Sequence, residues 1–337
     1  MKRLAFSRVL AMLLSLVMVS SMLPTAVFAA TSVSYLDEDQ VLQTYDGSYT
    51  QVTSSTTTWQ DGWYVLQEDV TISSRVQVSG NVKLILEDGY TLTCLEGIHV
   101  PHSASLTIYA QAGGTGALVA EVSGSAAIGG DDWGDWGDIT ICGGYITAKS
   151  QAQAGIGGGY CSGSYGNVSI YGGVIDTSGI HGGTVHYGSS EMGNILIQGA
   201  TVTSSGQIGS ASGNNPFSGG VSNCGSITIV DSVVTVGTFL GSVPKYWGPG
   251  YAQCGDITIA DSTVVVQEAL GGTGSSLVLE NESGKNLCVM ANSFESTMPE
   301  RKLGTLISGN TGTVYTDTQI GATVDLSNVN LTVNEGA

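Results

Sequence analysis

One segment occurs five times in this 337-residue chain, and that recurrence restricts its folds more than any other feature. "GDITICGGYITA" from Gly137 returns as "GNVSIYGGVIDT" from Gly166, "GNILIQGATVTS" from Gly193, "GSITIVDSVVTV" from Gly225 and "GDITIADSTVVV" from Gly255. The steps between starts are 29, 27, 32 and 30 residues. A second motif sits upstream in each period: "AAIGG" at Ile128, "AGIGGG" at Ile156, "SGIHGG" at Ile180, "GQIGS" at Ile208 and "TFLGS" at Leu240. "EALGG" at Leu270 closes that series.

Inside each copy the apolar residues alternate, as in Ile139 and Ile141 and then Ile146, which is the period of a strand with one face buried. A unit this short cannot cover its own apolar face, so copies must stack and share one continuous core. Two packed antiparallel sheets could use such segments, but a fixed period with in-phase glycines favours a solenoid. The predicted fold is an all-β, right-handed parallel β-helix of roughly 30-residue coils, with neighbouring strands about 4.8 Å apart. The Gly-Gly pairs fall at its corners, where positive φ costs glycine little.

Four regions follow from this pattern. Residues 1–29 read as a signal peptide: Lys2, Arg3 and Arg8 precede the apolar run "VLAMLLSLVMVSSML", and Val27 and Ala29 fill the small-residue positions before a cleavage after Ala29. Residues 30–58, rich in Ser and Thr, read as a leader or N-terminal cap. Residues 59–275 form the β-helix, and residues 276–337, where the glycine pattern fades, form a C-terminal β cap over an otherwise bare sheet edge. No cysteine follows the apolar run to carry a lipid, and "LSNVNLTVNEGA" offers no membrane span. The expectation is a secreted, extracellular protein, held at a cell surface only by what it binds.

Removing the leader leaves seven Lys and Arg against 28 Asp and Glu, a formal charge of −21. Such a surface argues against nucleic acid, anionic membranes and polyanionic glycans, all of which need basic residues to neutralise them.

The segment between Ala126 and Gly144 concentrates the candidate chemistry. Trp133 and Trp136 lie in an insert between the two motifs, with Asp132 and Asp135 beside them. Exposed aromatic rings stack on the apolar face of a sugar while carboxylates accept its hydroxyls. Tyr160, Tyr165, Tyr187, Tyr246, Trp247 and Tyr251 fall in the corresponding inserts of later coils, which stacking would align along one edge. Asp131, Asp132, Asp135 and Asp138 also supply hard oxygen ligands for calcium, with Gly134 and Gly137 letting the loop bend, although the spacing is not that of an EF-hand. No cofactor is required, and calcium is the one candidate ion.

Catalysis is the weaker reading. A lyase acting on uronic acids needs a basic residue beside its calcium, and no Lys or Arg occurs between Lys149 and Lys245. A hydrolase would need facing carboxylates, for which "GGDDWG" is available, and could draw on His181 in "GIHGG". His181, however, stands beside a corner where other copies carry glycine or serine. Of six cysteines, Cys224 and Cys254 each precede a motif glycine one period apart, so they are predicted neighbours and a candidate disulfide.

The combination of "GNVKLILEDGYTLTCLEGIHV", "ASLTIYAQAGGTGAL", "AAIGG", "AGIGGG" and "GDITICGGYITA" resembles the glycine-rich right-handed β-helix domains described as carbohydrate-binding in secreted proteins of anaerobic gut Firmicutes. The likeness spans roughly residues 60–275 and brings no catalytic residue with it. It implies a secreted glycan-binding protein whose partner is a glycan or glycoprotein. An adhesin that grips a glycoprotein or immunoglobulin, and a polysaccharide-degrading enzyme, are the alternatives.

Overall fold

Each repeat resolves into two consecutive strands joined at a tight corner, glycine in the first three copies and Asp231 or Asp261 in the last two, followed by a third, shorter strand from the second motif; each strand pairs in parallel with its counterparts in neighbouring turns. In the copy beginning at Gly137, Asp138–Ile141 is followed by Tyr145–Ser150 and then by Ile156–Gly157. The computed structural model describes residues 32–160, 166–184, 189–210, 221–242, 251–271, 277–280, 285 and 287–295, with short strands at 27–28, 312–316 and 331–332. The described residues contain no helix and stack as a parallel β-solenoid of about 28 residues per turn.

Three inward ladders build the core. The first strands align Leu106, Ile139, Val168, Ile195, Ile227, Ile257 and Leu277 as successive register partners. The second strands align Leu92, Leu118, Ile146, Ile175, Val202, Val234 and Val264. The third align Val76, Ile98, Ile128, Ile156, Ile180, Ile208, Leu240 and Leu270, so the isoleucines and leucines of the second motif are one column. Each column is buried, and its contribution comes from apolar area that a single turn could not hide.

The third column explains the glycines. Gly157 sits at φ +131°, and a Cβ there would collide with the carbonyl of His181 in the next turn. A second device sits just after the motif glycine, where a polar side chain accepts from the following turn. Asp138 Oδ1 accepts from the Asn167 backbone N–H at 2.8 Å, Asn167 Oδ1 from Asn194 at 2.9 Å, and Asn194 Oδ1 from Ser226 at 3.0 Å.

The segment read as a leader or N-terminal cap holds ordered strands, and the ladder passes the expected C-terminal boundary. Within residues 32–58, Val33–Leu36 and Leu42–Tyr45 form an antiparallel hairpin laid over the outer face of the first sheet. Tyr45 stacks on Trp63 with ring centroids 4.3 Å apart, and Tyr35 leans on Tyr109 at 4.7 Å. Gln40 donates its side-chain N–H to the Cys142 carbonyl at 2.8 Å. At the other end the ladder runs past residue 275. Leu277–Glu280 pairs in parallel with Ile257–Ala260, and Leu287–Glu295 with Thr263–Gly271. Apolar alternation is enough to extend a sheet, and glycine is needed only where a corner is tight.

Candidate functional site

The edge that follows the third strand carries the insert. After Ile128–Gly129 the chain keeps its ladder for one more bond, Gly130 N–H to Gly157 O at 2.8 Å, and then bulges outward. Trp133 N–H still reaches the Tyr160 carbonyl at 2.7 Å, and Tyr160 N–H reaches Asp132 Oδ1 at 2.9 Å. These two bonds clamp the inserts of consecutive turns together. Trp133 takes φ +60°, a left-handed conformation that a large side chain adopts only under constraint. The residue is 69% exposed, and its ring meets Tyr160 edge to face, with centroids 5.0 Å apart.

Trp136 corrects the expectation of a second exposed ring. It is 0% exposed, belongs to the main core, and its indole N–H has no hydrogen-bond partner. The reason lies in phase. Trp136 directly precedes Gly137, as Met192 precedes Gly193, Cys224 precedes Gly225 and Cys254 precedes Gly255. Those residues point inward and are buried, with Met192, Cys224 and Cys254 successive register partners. Comparison with Met192, Cys224 and Cys254 before their motif glycines would have placed Trp136 in the core from sequence.

The four aspartates do not converge. Asp131 meets Arg75 Nε at 2.6 Å and His99 Nδ1 at 3.5 Å. Arg75 and Asp131 thus form a close, part-buried ion pair. Asp132 is committed to the Tyr160 N–H, and Asp138 to Asn167. Among the described residues no group of three His, Cys, Asp or Glu side chains is gathered to hold a metal ion. Asp135 lies in the same insert with its own interaction partner.

Sequence reasoning missed the polar cluster around Asp131. Arg75 donates to the Glu96 carbonyl at 2.8 Å and the Gly130 carbonyl at 3.3 Å, and His99 Nδ1 lies 2.8 Å from Gln77 Oε1. Burial lowers the pKa of both Arg75 and His99, and Asp131 pulls each back. The only sequence signal was in phase: Gln77 and His99 occupy, two turns and one turn earlier, the position of Gly129.

His181 is a buried, neutral ring rather than a groove-lining acid. Its Nδ1 accepts from Gly183 N–H at 3.0 Å, and burial pushes its pKa from 6.5 to about 4. Tyr165, Tyr187, Tyr246 and Trp247 lie outside the described residues. Cys224 and Cys254 are register partners, as their spacing predicted, and both are thiols in this structure.

No protein-family model, curated protein or solved structure matches this chain.

Proposed function

We propose that this chain is a secreted, non-catalytic glycan-binding protein that engages its ligand along the insert edge, with Trp133 and Tyr160 as the stacking element. One observation carries the reading: a tryptophan held at positive φ, clamped by two hydrogen bonds to the next turn, is largely exposed to solvent. A solenoid has no need of an exposed ring there, because Ile128, Ile139 and Trp136 already fill the core on both sides. Preorganised aromatic anchors are the common currency of sugar recognition, since they bury area without losing rotamer freedom.

Asp132 and Asp135 supply acceptors beside the rings, with Asp132 keeping one carboxylate oxygen for a ligand after satisfying Tyr160. The ligand class is a neutral glycan or one bearing amino sugars, alone or on a glycoprotein, because the acidic chain repels polyanions. A glycan array probed with the full chain and with Trp133→Ala tests the reading. Binding to a defined glycan set that drops at least tenfold in the variant supports it. Absence of any glycan binding, or binding indifferent to Trp133, overturns it.

A further inference from the structure

Met192, Cys224 and Cys254, each just before a motif glycine, form an inward column in which Cys224 and Cys254 sit in register on adjacent parallel strands. Both are buried and belong to the main core. We propose that these two thiols close a reversible disulfide that staples consecutive turns of the solenoid, making the pair a redox-responsive modification site.

Register partners in a parallel sheet have Cα atoms about 4.8 Å apart, inside the range of about 4.4 to 6.8 Å that a disulfide spans. Both side chains point into the same core, so their Cβ vectors run side by side. That arrangement keeps the Cβ atoms near the strand spacing, whereas a relaxed disulfide holds them about 3.8 Å apart. The two turns must therefore pinch together by about 1 Å when the bond forms. Strain of this kind raises the reduction potential, which places the bond in the labile class rather than among permanent structural disulfides. The neighbouring thiol and burial hold Cys224 well above the ordinary cysteine pKa, so exchange proceeds through local opening of the column.

The step balances with a disulfide oxidant of the glutathione type. The thiolate of one cysteine attacks a glutathione disulfide sulfur, forming a mixed disulfide and releasing one glutathione thiolate, which takes the proton that the cysteine lost. The second cysteine's thiolate then attacks the protein sulfur of the mixed disulfide and releases the second glutathione thiolate, which takes the other proton. Two electrons pass from the cysteine pair to the oxidant.

The full chain is equilibrated in glutathione buffers of graded ratio, quenched in acid, denatured, alkylated and mapped without reduction. The expected product has lost two thiols and two hydrogens, carries one Cys224–Cys254 peptide pair, and regains both thiols when reduced glutathione is raised. Thiols that stay alkylatable in oxidised glutathione overturn the proposal. So do a persistent glutathione adduct, a bridge from either residue to another cysteine, and a bond that reduced glutathione cannot open. In Cys224→Ser, Cys254 should form no intramolecular bond; if that variant fails to fold, the mapping of the unaltered chain decides alone.

Discussion

Trp133 donates its backbone N–H to the carbonyl of Tyr160 in the next turn at 2.7 Å, and their rings meet edge to face with centroids 5.0 Å apart. Backbone and side chain are thus paired across the same two residues, so the exposed ring is fixed by the solenoid beneath it. The φ of +60° at Trp133 is the cost of that placement. Replacing Trp133 by alanine removes an exposed ring and leaves the strained backbone, so the melting temperature should move by no more than a few degrees. Replacing it by glycine relaxes the backbone as well, and Trp133→Gly should be more stable than Trp133→Ala by about 1 kcal/mol in urea unfolding. Equal stability of the two variants would show that the loop readjusts and that the conformation is not imposed.

Trp136 should behave in the opposite way. Its ring is among the largest fully buried side chains, packed against Gly166 of the next turn. Trp136→Ala leaves a large cavity in the column and should destabilise the chain by about 3–5 kcal/mol. Trp136→Phe should recover most of that loss, because the indole N–H has no partner to forfeit. A Trp136→Ala variant that unfolds at the parental urea midpoint would contradict the buried placement.

The contrast between these two tryptophans shows which parts of the structure the sequence exposes. Apolar alternation and a period near 28 residues are local and repeated, so the three ladders and even Cys224 beside Cys254 follow from counting. The orientation of Trp136 was also periodic, but it had to be read against Met192, Cys224 and Cys254 before their motif glycines rather than against its acidic neighbours. The hairpin carrying Tyr35 and Tyr45 is different in kind. It docks on Trp63 and Tyr109 through side chains that recur nowhere else, and no spacing rule links Gln40 to Cys142. Arg75 and Asp131 likewise meet across two turns, from positions outside the repeated motif. Their pairing depends on which way two side chains lean, which periodicity does not encode.

Gly157 and Gly134 separate glycines the fold requires from glycines it merely tolerates. At Gly157 the backbone lies at φ +131° and a Cβ would strike the His181 carbonyl. Gly157→Ala should therefore cost more than about 3 kcal/mol or prevent folding, through both backbone strain and the forced separation of two turns. At Gly134, in the exposed insert, the nearest atom to an added Cβ is the Asp131 carbonyl oxygen at 3.4 Å, an ordinary contact. Gly134→Ala should change stability by less than about 0.5 kcal/mol. Thermal melts of the two variants side by side provide the measurement, and similar losses at both positions would refute the stacked-corner account.

His181 gives the fold a pH dependence that can be isolated from that of its many carboxylates. Burial lowers its pKa from 6.5 to about 4, and the Gly183 N–H donated to Nδ1 requires that nitrogen to be unprotonated. In the unfolded chain the ring takes up a proton as pH falls through about 6.5, while in the folded chain it resists until about 4. The unfolded state therefore binds more protons across this window, and stability falls with falling pH. The contribution is complete above pH 7, declines between about 6.5 and 4, and levels off below, for a total of roughly 3 kcal/mol at 1.36 kcal/mol per pKa unit. Gln in place of His181 removes the titration while keeping a polar side chain. Urea unfolding of the parent and of His181→Gln, from pH 7.5 down to 4.5, should give a stability difference that is flat near neutrality and shifts in favour of the variant as pH drops below 6.5. A difference constant across that range would mean that the ring is reached by water and protonates freely in the folded state.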